Sequence, residues 1–240
     1  MSRRPGPFGP KDLLASAGIL GIFVLGVFLT WVVIVAWGIP LPKHPIAQKF
    51  ATTAIQTALT IALPYAVVHF WLGLTPAMLG LNRRRLGVTF GLGCAIYALA
   101  MLGFLHCGSD PLIARHPVRF LEPGNALLLT LVMSIHAATT DVATRGFILL
   151  ALAHHSPSWF AILMQNVVWL YGHVYEIQLF TNCLGGPQVP FTGMGLWAVG
   201  LFAALGVLGD LIAFRTRNVW GLALAHVALN LAMVTYIRFM

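Results

Sequence analysis

Seven long apolar runs, at about 13–37, 50–73, 87–106, 125–153, 158–180, 194–214 and 219–239, leave this chain little choice of fold. A helix needs roughly 20 apolar residues to cross a bilayer. Backbone N–H and C=O groups in hydrocarbon must be satisfied inside the segment, so runs of this kind read as helices. A β-barrel would need apolar and polar residues to alternate, and these runs do not. The expected fold is all-α: a polytopic transmembrane bundle of about seven spans, forming a single integral membrane domain over 1–240. Composition agrees. Charged residues make up 8% of the 240 and hydrophobic ones 59%, whereas a soluble domain carries roughly 25% charged residues. A cytosolic globular enzyme, a disordered tail and a disulfide-dense secreted module are all excluded.

The net charge of +8 belongs to the span flanks. Arg83, Arg84 and Arg85 form the one basic run; it has no aromatic interleaving, so no nucleic-acid partner is expected. The partner the sequence demands is the lipid bilayer. With the N-terminus inside, Arg3, Arg4, Lys11, Arg83–Arg85, Arg215 and Arg217 face the cytoplasm, against Lys43, Lys49, Arg115, Arg119 and Arg238 outside. That asymmetry places the N-terminus in the cytoplasm of a bacterial-type plasma membrane. The first run is too long for a signal-peptide core. Cys107 and Cys183 fall in loops on the outer side and could bond if that side is oxidising, while Cys94 lies inside a span. No Cys or His spacing marks a metal site or a cofactor. Asp210, near an inner span end, is a possible partner of Arg215 or Arg217.

Ionisable groups inside spans are expensive and mark function by default. Span four carries His136, Thr139, Thr140, Asp141 and Arg145; Asp141 and Arg145 are four apart and share a helix face. Span five carries Asn166, Trp169, His173 and Glu176. Span seven carries His226 and Asn230, again four apart. If these faces converge, they form a polar chamber within the membrane. A carboxylate and a neutral His can activate water, and a second His with an Asn suits a developing oxyanion. That set fits amide hydrolysis. Neither GxSxG nor HExxH occurs, and Asp141, His173 and His226 make a formal two-His, one-carboxylate metal set that sequence alone cannot test.

The run Thr140-Asp141-Val142-Ala143-Thr144-Arg145-Gly146 resembles the EExxFRG signature of the CPBP family, the CAAX prenyl proteases, bacteriocin-processing proteins and Abi proteins, which are glutamic-type intramembrane proteases. The family's aromatic residue four before a His is matched by Trp169 and His173. Its late HxxxN motif is matched by His226 and Asn230. The resemblance spans roughly the C-terminal hundred residues and implies a CPBP-like core over 125–240, with 1–124 supplying N-terminal spans. It implies that His173 orients or shares the base, that His226 and Asn230 hold the oxyanion, and that Arg145 braces Asp141.

The departure is at the first motif. Thr140 stands where the family has its first Glu, and Asp141, one methylene shorter, where it has the second. Threonine cannot serve as a base near neutral pH. A displaced catalytic group of about 1 Å can cost on the order of a hundredfold in rate. The reading this favours is a catalytically impaired or inactive member that binds, assembles or stabilises a membrane-protein or peptide partner. The alternative is an active endopeptidase in which Asp141 and His173 activate water. A cofactor-binding or transport subunit is the third reading.

Overall fold

The computed structural model describes residues 9–36, 44–107 and 121–239. Arg3, Arg4, Lys43, Arg115 and Arg119, all used in the sequence reading, lie outside the described residues. The described chain is helical. α1 covers Pro10–Trp31 and runs into a π-helical stretch, Val32–Ala36. α2 (Pro45–Thr57) and α3 (Leu63–Leu72) are joined by a second π stretch, Ala58–Ala62. Pro64 explains that join, because a helix-interior Pro has no N–H to donate one turn back. Then follow α4 (Leu86–Cys107), α5 (Pro123–Asp141), a third π stretch (Val142–Ala151), α6 (Leu152–His155), α7 (Ser158–Gly172), α8 (Val174–Leu184), α9 (Leu196–Thr216) and α10 (Trp220–Phe239).

Among the described residues, five stretches are long and apolar enough to cross a membrane: Pro10–Ile34, Ile46–Leu72, Leu86–Gly103, Pro123–His155 and Leu196–Thr216. A shorter apolar stretch is Trp220–Met233. This is a multi-pass helical bundle. The run read as one span at 158–180 is broken: His173 leaves helical geometry (φ −115°, ψ 19°) and separates α7 from α8. His154 and His155 end α6 and are half-buried.

The core is built around the third π stretch, whose ten residues are all buried. Its apolar side packs with Val68, Leu74, Leu79, Ala161, Ala213, Val219 and Leu222. π-Helical turns are rare and concentrate at functional sites; this one begins directly after Asp141 and contains Arg145. α10 packs along both α4 and α5. Gly93 makes the α4 seam possible, since a Cβ there would lie 2.8 Å from the Ala225 Cβ.

Two ends of the bundle are fastened differently. At one, the buried Asn218 donates from Nδ2 to the Asn82 carbonyl (2.6 Å) and the Arg84 carbonyl (2.9 Å), and its Oδ1 accepts from the Gly221 N–H (2.8 Å), starting α10. Arg85 donates to the Arg215 carbonyl nearby (3.2 Å). At the other end, Cys107 closes α4 and is disulfide-bonded to Cys183 in α8, with Cα atoms 5.2 Å apart. Both cysteines sit at helix ends rather than in the loops expected.

Candidate functional site

Asp141 is the centre of a buried polar cluster drawn from five elements. It is 1% exposed. Its Oδ1 accepts a short charge-assisted hydrogen bond from Arg145 Nη1, four residues on in the same run of helix. Its Oδ2 takes the His226 Nδ1–H at 2.9 Å and lies 3.4 Å from the Tyr97 hydroxyl. The Tyr97 ring stacks on His226 at 4.9 Å between centroids. Tyr97 comes from the middle of α4 and was not anticipated, because nothing in an apolar run sets one Tyr apart.

Arg145 is 1% exposed and is held on three sides besides Asp141. Its Nε lies 3.4 Å from Asp210 Oδ1 on α9. Its guanidinium lies over the Trp169 ring, 4.7 Å from the centroid. It occupies the space that a side chain at Gly209 would fill, since a Cβ there would be 2.6 Å from Nη2. Asp210 therefore pairs with Arg145 in the core and not with Arg215 or Arg217, as chain proximity suggested. Asp210 is fully buried. The 3.4 Å contact is an ion pair whose N–H is not aligned as a hydrogen bond, and the Asn166 side chain stands beside the same carboxylate.

The second motif adjoins this cluster. Trp169 donates its Nε1–H to the Phe202 carbonyl (3.1 Å), and Gly206 leaves room for the ring. His173 stacks against Trp169 at 3.8 Å and its Nδ1 meets the Trp169 carbonyl at 2.8 Å. A carbonyl only accepts, so Nδ1 carries the proton and a neutral ring keeps its lone pair on Nε2. The same logic applies to His226, whose Nδ1 faces a carboxylate. His226 lies within electrostatic range of His173.

The remaining sequence-selected residues are less engaged. Thr140 is half-buried and spends its hydroxyl on its own helix, donating to the His136 carbonyl at 2.9 Å. Thr144 does the same to Thr140 (2.9 Å). Asn230 sits one turn beyond His226, half-buried, and makes no hydrogen bond among the described residues. Among the described residues no three His, Cys, Asp or Glu side chains are grouped as metal ligands. Asp141 and His226 are engaged with each other instead.

A polytopic helical membrane protein with an ion-paired Asp–Arg–Asp set and two oriented histidines in its interior is the class these features define. Residues 122–232 match the family described as type II CAAX prenyl endopeptidase Rce1-like, which bears out the CPBP resemblance of the three motifs. Over that segment the chain is similar to CPBP-type membrane proteases. No curated protein and no solved structure matches it.

Proposed function

We propose that this protein is an intramembrane endopeptidase that hydrolyses an amide of a peptide or of a membrane-protein terminus, within one domain and with its N-terminus cytoplasmic. The observation that carries the reading is the Asp141–His226 contact of 2.9 Å, embedded in the Arg145 cluster next to His173. Asp141 fixes the His226 ring and turns Nε2 outward. As negative charge develops on the attacked carbonyl oxygen, His226 takes up a second proton at Nε2 and presents that N–H to it, the Asp141 carboxylate at Nδ1 stabilising the ring while it is charged. The Asn230 amide is the second donor. His173, anchored through Nδ1, offers Nε2 to the attacking water.

The test compares membrane-protein termini by mass spectrometry in cells with the native chain, a deletion and His226→Gln. Both altered cells should accumulate the same uncut termini. Uncut termini in neither would sink the reading.

A second reading has its own observation. Thr140 has no carboxylate and its hydroxyl is spent on its helix, while Asp141 has both oxygens engaged and is sealed from water. In that reading the protein is an inactive member that binds a membrane-protein partner. Unchanged termini together with loss of a partner complex in the deletion would favour it.

A further inference from the structure

The difficulty for catalysis is the missing carboxylate at position 140, and the chain has few acids that could replace it. The sequence holds six Asp and Glu residues. Asp12 lies in the first turn of α1, 3.7 Å from His155. Glu122 is exposed immediately before α5. Asp110 lies outside the described residues. Asp141 and Asp210 are 1% and 0% exposed and are both held on Arg145. Neither can meet water without breaking the cluster.

Glu176 remains. It lies in the first turn of α8, three residues after His173 and thus on the same side of that turn. It is half-buried, unlike the sealed Asp141 and Asp210. It makes no hydrogen bond or ion pair among the described residues. It is close enough to act on the charges of both His173 and His226. The break at His173 is what brings it there. A continuous helix from 158 to 180 would keep α7's direction, whereas the break starts a new helix with Glu176 in its first turn, and Cys183–Cys107 pins its far end to α4.

We propose that Glu176 is the general base of this site and takes, from α8, the role that the first-motif carboxylate has lost at Thr140. The proposal rests on the endopeptidase reading. The Glu176 carboxylate accepts a proton from water as the water oxygen bonds to the amide carbon. The carbonyl electron pair moves onto oxygen, where His226 and Asn230 donate to it. When the tetrahedral intermediate collapses, the C–N bond breaks and Glu176 returns its proton to the leaving nitrogen, with His173 orienting the water. The products are a carboxylic acid and an amine, and no further reactant is needed.

The experiment compares membrane-protein termini in cells carrying the full chain with Glu176→Gln, Glu176→Asp, Glu122→Gln or His226→Gln, beside the native chain and a deletion. Chain abundance in the membrane is measured alongside. A general base contributes about a hundredfold or more. Glu176→Gln should therefore show the uncut termini of the deletion at native abundance. Glu176→Asp should recover part of the cleavage, and Glu122→Gln should match the native chain. Native termini with Glu176→Gln, while His226→Gln is dead, overturn the role of Glu176 and leave the endopeptidase reading standing. Unchanged termini in the deletion overturn both. If Glu176→Gln fails to accumulate, Glu176→Asp decides: at native abundance, cleavage reduced by the shortened carboxylate supports the role, and cleavage at the native level overturns it.

Discussion

At the scale of single residues, the decisive fact is that Arg145 is buried with two carboxylates. A guanidinium at 1% exposure in a membrane bundle needs compensation from every side, and it receives it from Asp141, Asp210 and the Trp169 ring. Removing one member of a buried pair leaves an uncompensated charge at a cost of about 3–5 kcal/mol. Asp210→Asn keeps the volume and removes the charge, so it should lower thermal stability in detergent by an amount of that order. An unchanged unfolding midpoint would show that Asp210 contributes nothing to holding Arg145. Half of this arrangement was legible beforehand. Asp141 and Arg145 are four apart, and helix geometry alone puts them together. Asp210 was not legible, because its partner is 65 positions away in sequence (210 minus 145) and only the crossing of α9 over the π stretch brings them together. Glu176 was visible as an acid three residues from a His, yet without the break at His173 nothing gave it a direction.

The elements explain why the motifs meet. α4 and α10 lie close enough for Tyr97 to stack on His226 because α4 has a glycine where α10 presents Leu222 and Ala225. Gly91 and Gly93 are both small residues of the kind that let membrane helices approach. The fold separates them: a Cβ at Gly93 would meet Ala225 at 2.8 Å and Leu222 at 3.1 Å, whereas one at Gly91 meets nothing within 4 Å. Overpacking a tight seam costs about 1–3 kcal/mol. Gly93→Leu should therefore destabilise the protein by that amount or more and push Tyr97, one turn further on, away from His226. Gly91→Leu should be close to neutral. Tyr97 fluorescence cannot isolate this contact among five tyrosines, so the check is a thermal midpoint for both variants, with equal midpoints counting against the seam. Periodicity could not have told the two glycines apart, because α4 is apolar all round and no polar face marks which side meets α10.

At the scale of the whole molecule, two independent lines support the proposed orientation, with the N-terminus cytoplasmic. Arg83, Arg84, Arg85, Arg215 and Arg217 lie around the Asn218 junction, and excess Arg and Lys belongs on the cytoplasmic side. Cys107 and Cys183 fasten the opposite ends of α4 and α8, and a disulfide persists where the compartment is oxidising. α4 joins the two ends, from Leu86 just after the arginines to Cys107 at the disulfide, a rise of about 30 Å for its 22 residues, the thickness of a hydrocarbon core. Each line would be weak alone, since the charge bias is small and a disulfide does not name its side. Together they predict a labelling pattern. In intact cells, a membrane-impermeant thiol reagent should leave Cys107 and Cys183 unmodified until a reductant is added, and should then modify both. A cysteine placed at Arg84, in a chain whose own cysteines are replaced by serine, should react only after the cells are opened. Modification of Cys107 and Cys183 without reductant would remove the disulfide. Modification of the position-84 cysteine in intact cells would invert the orientation and place the Asn218 junction outside.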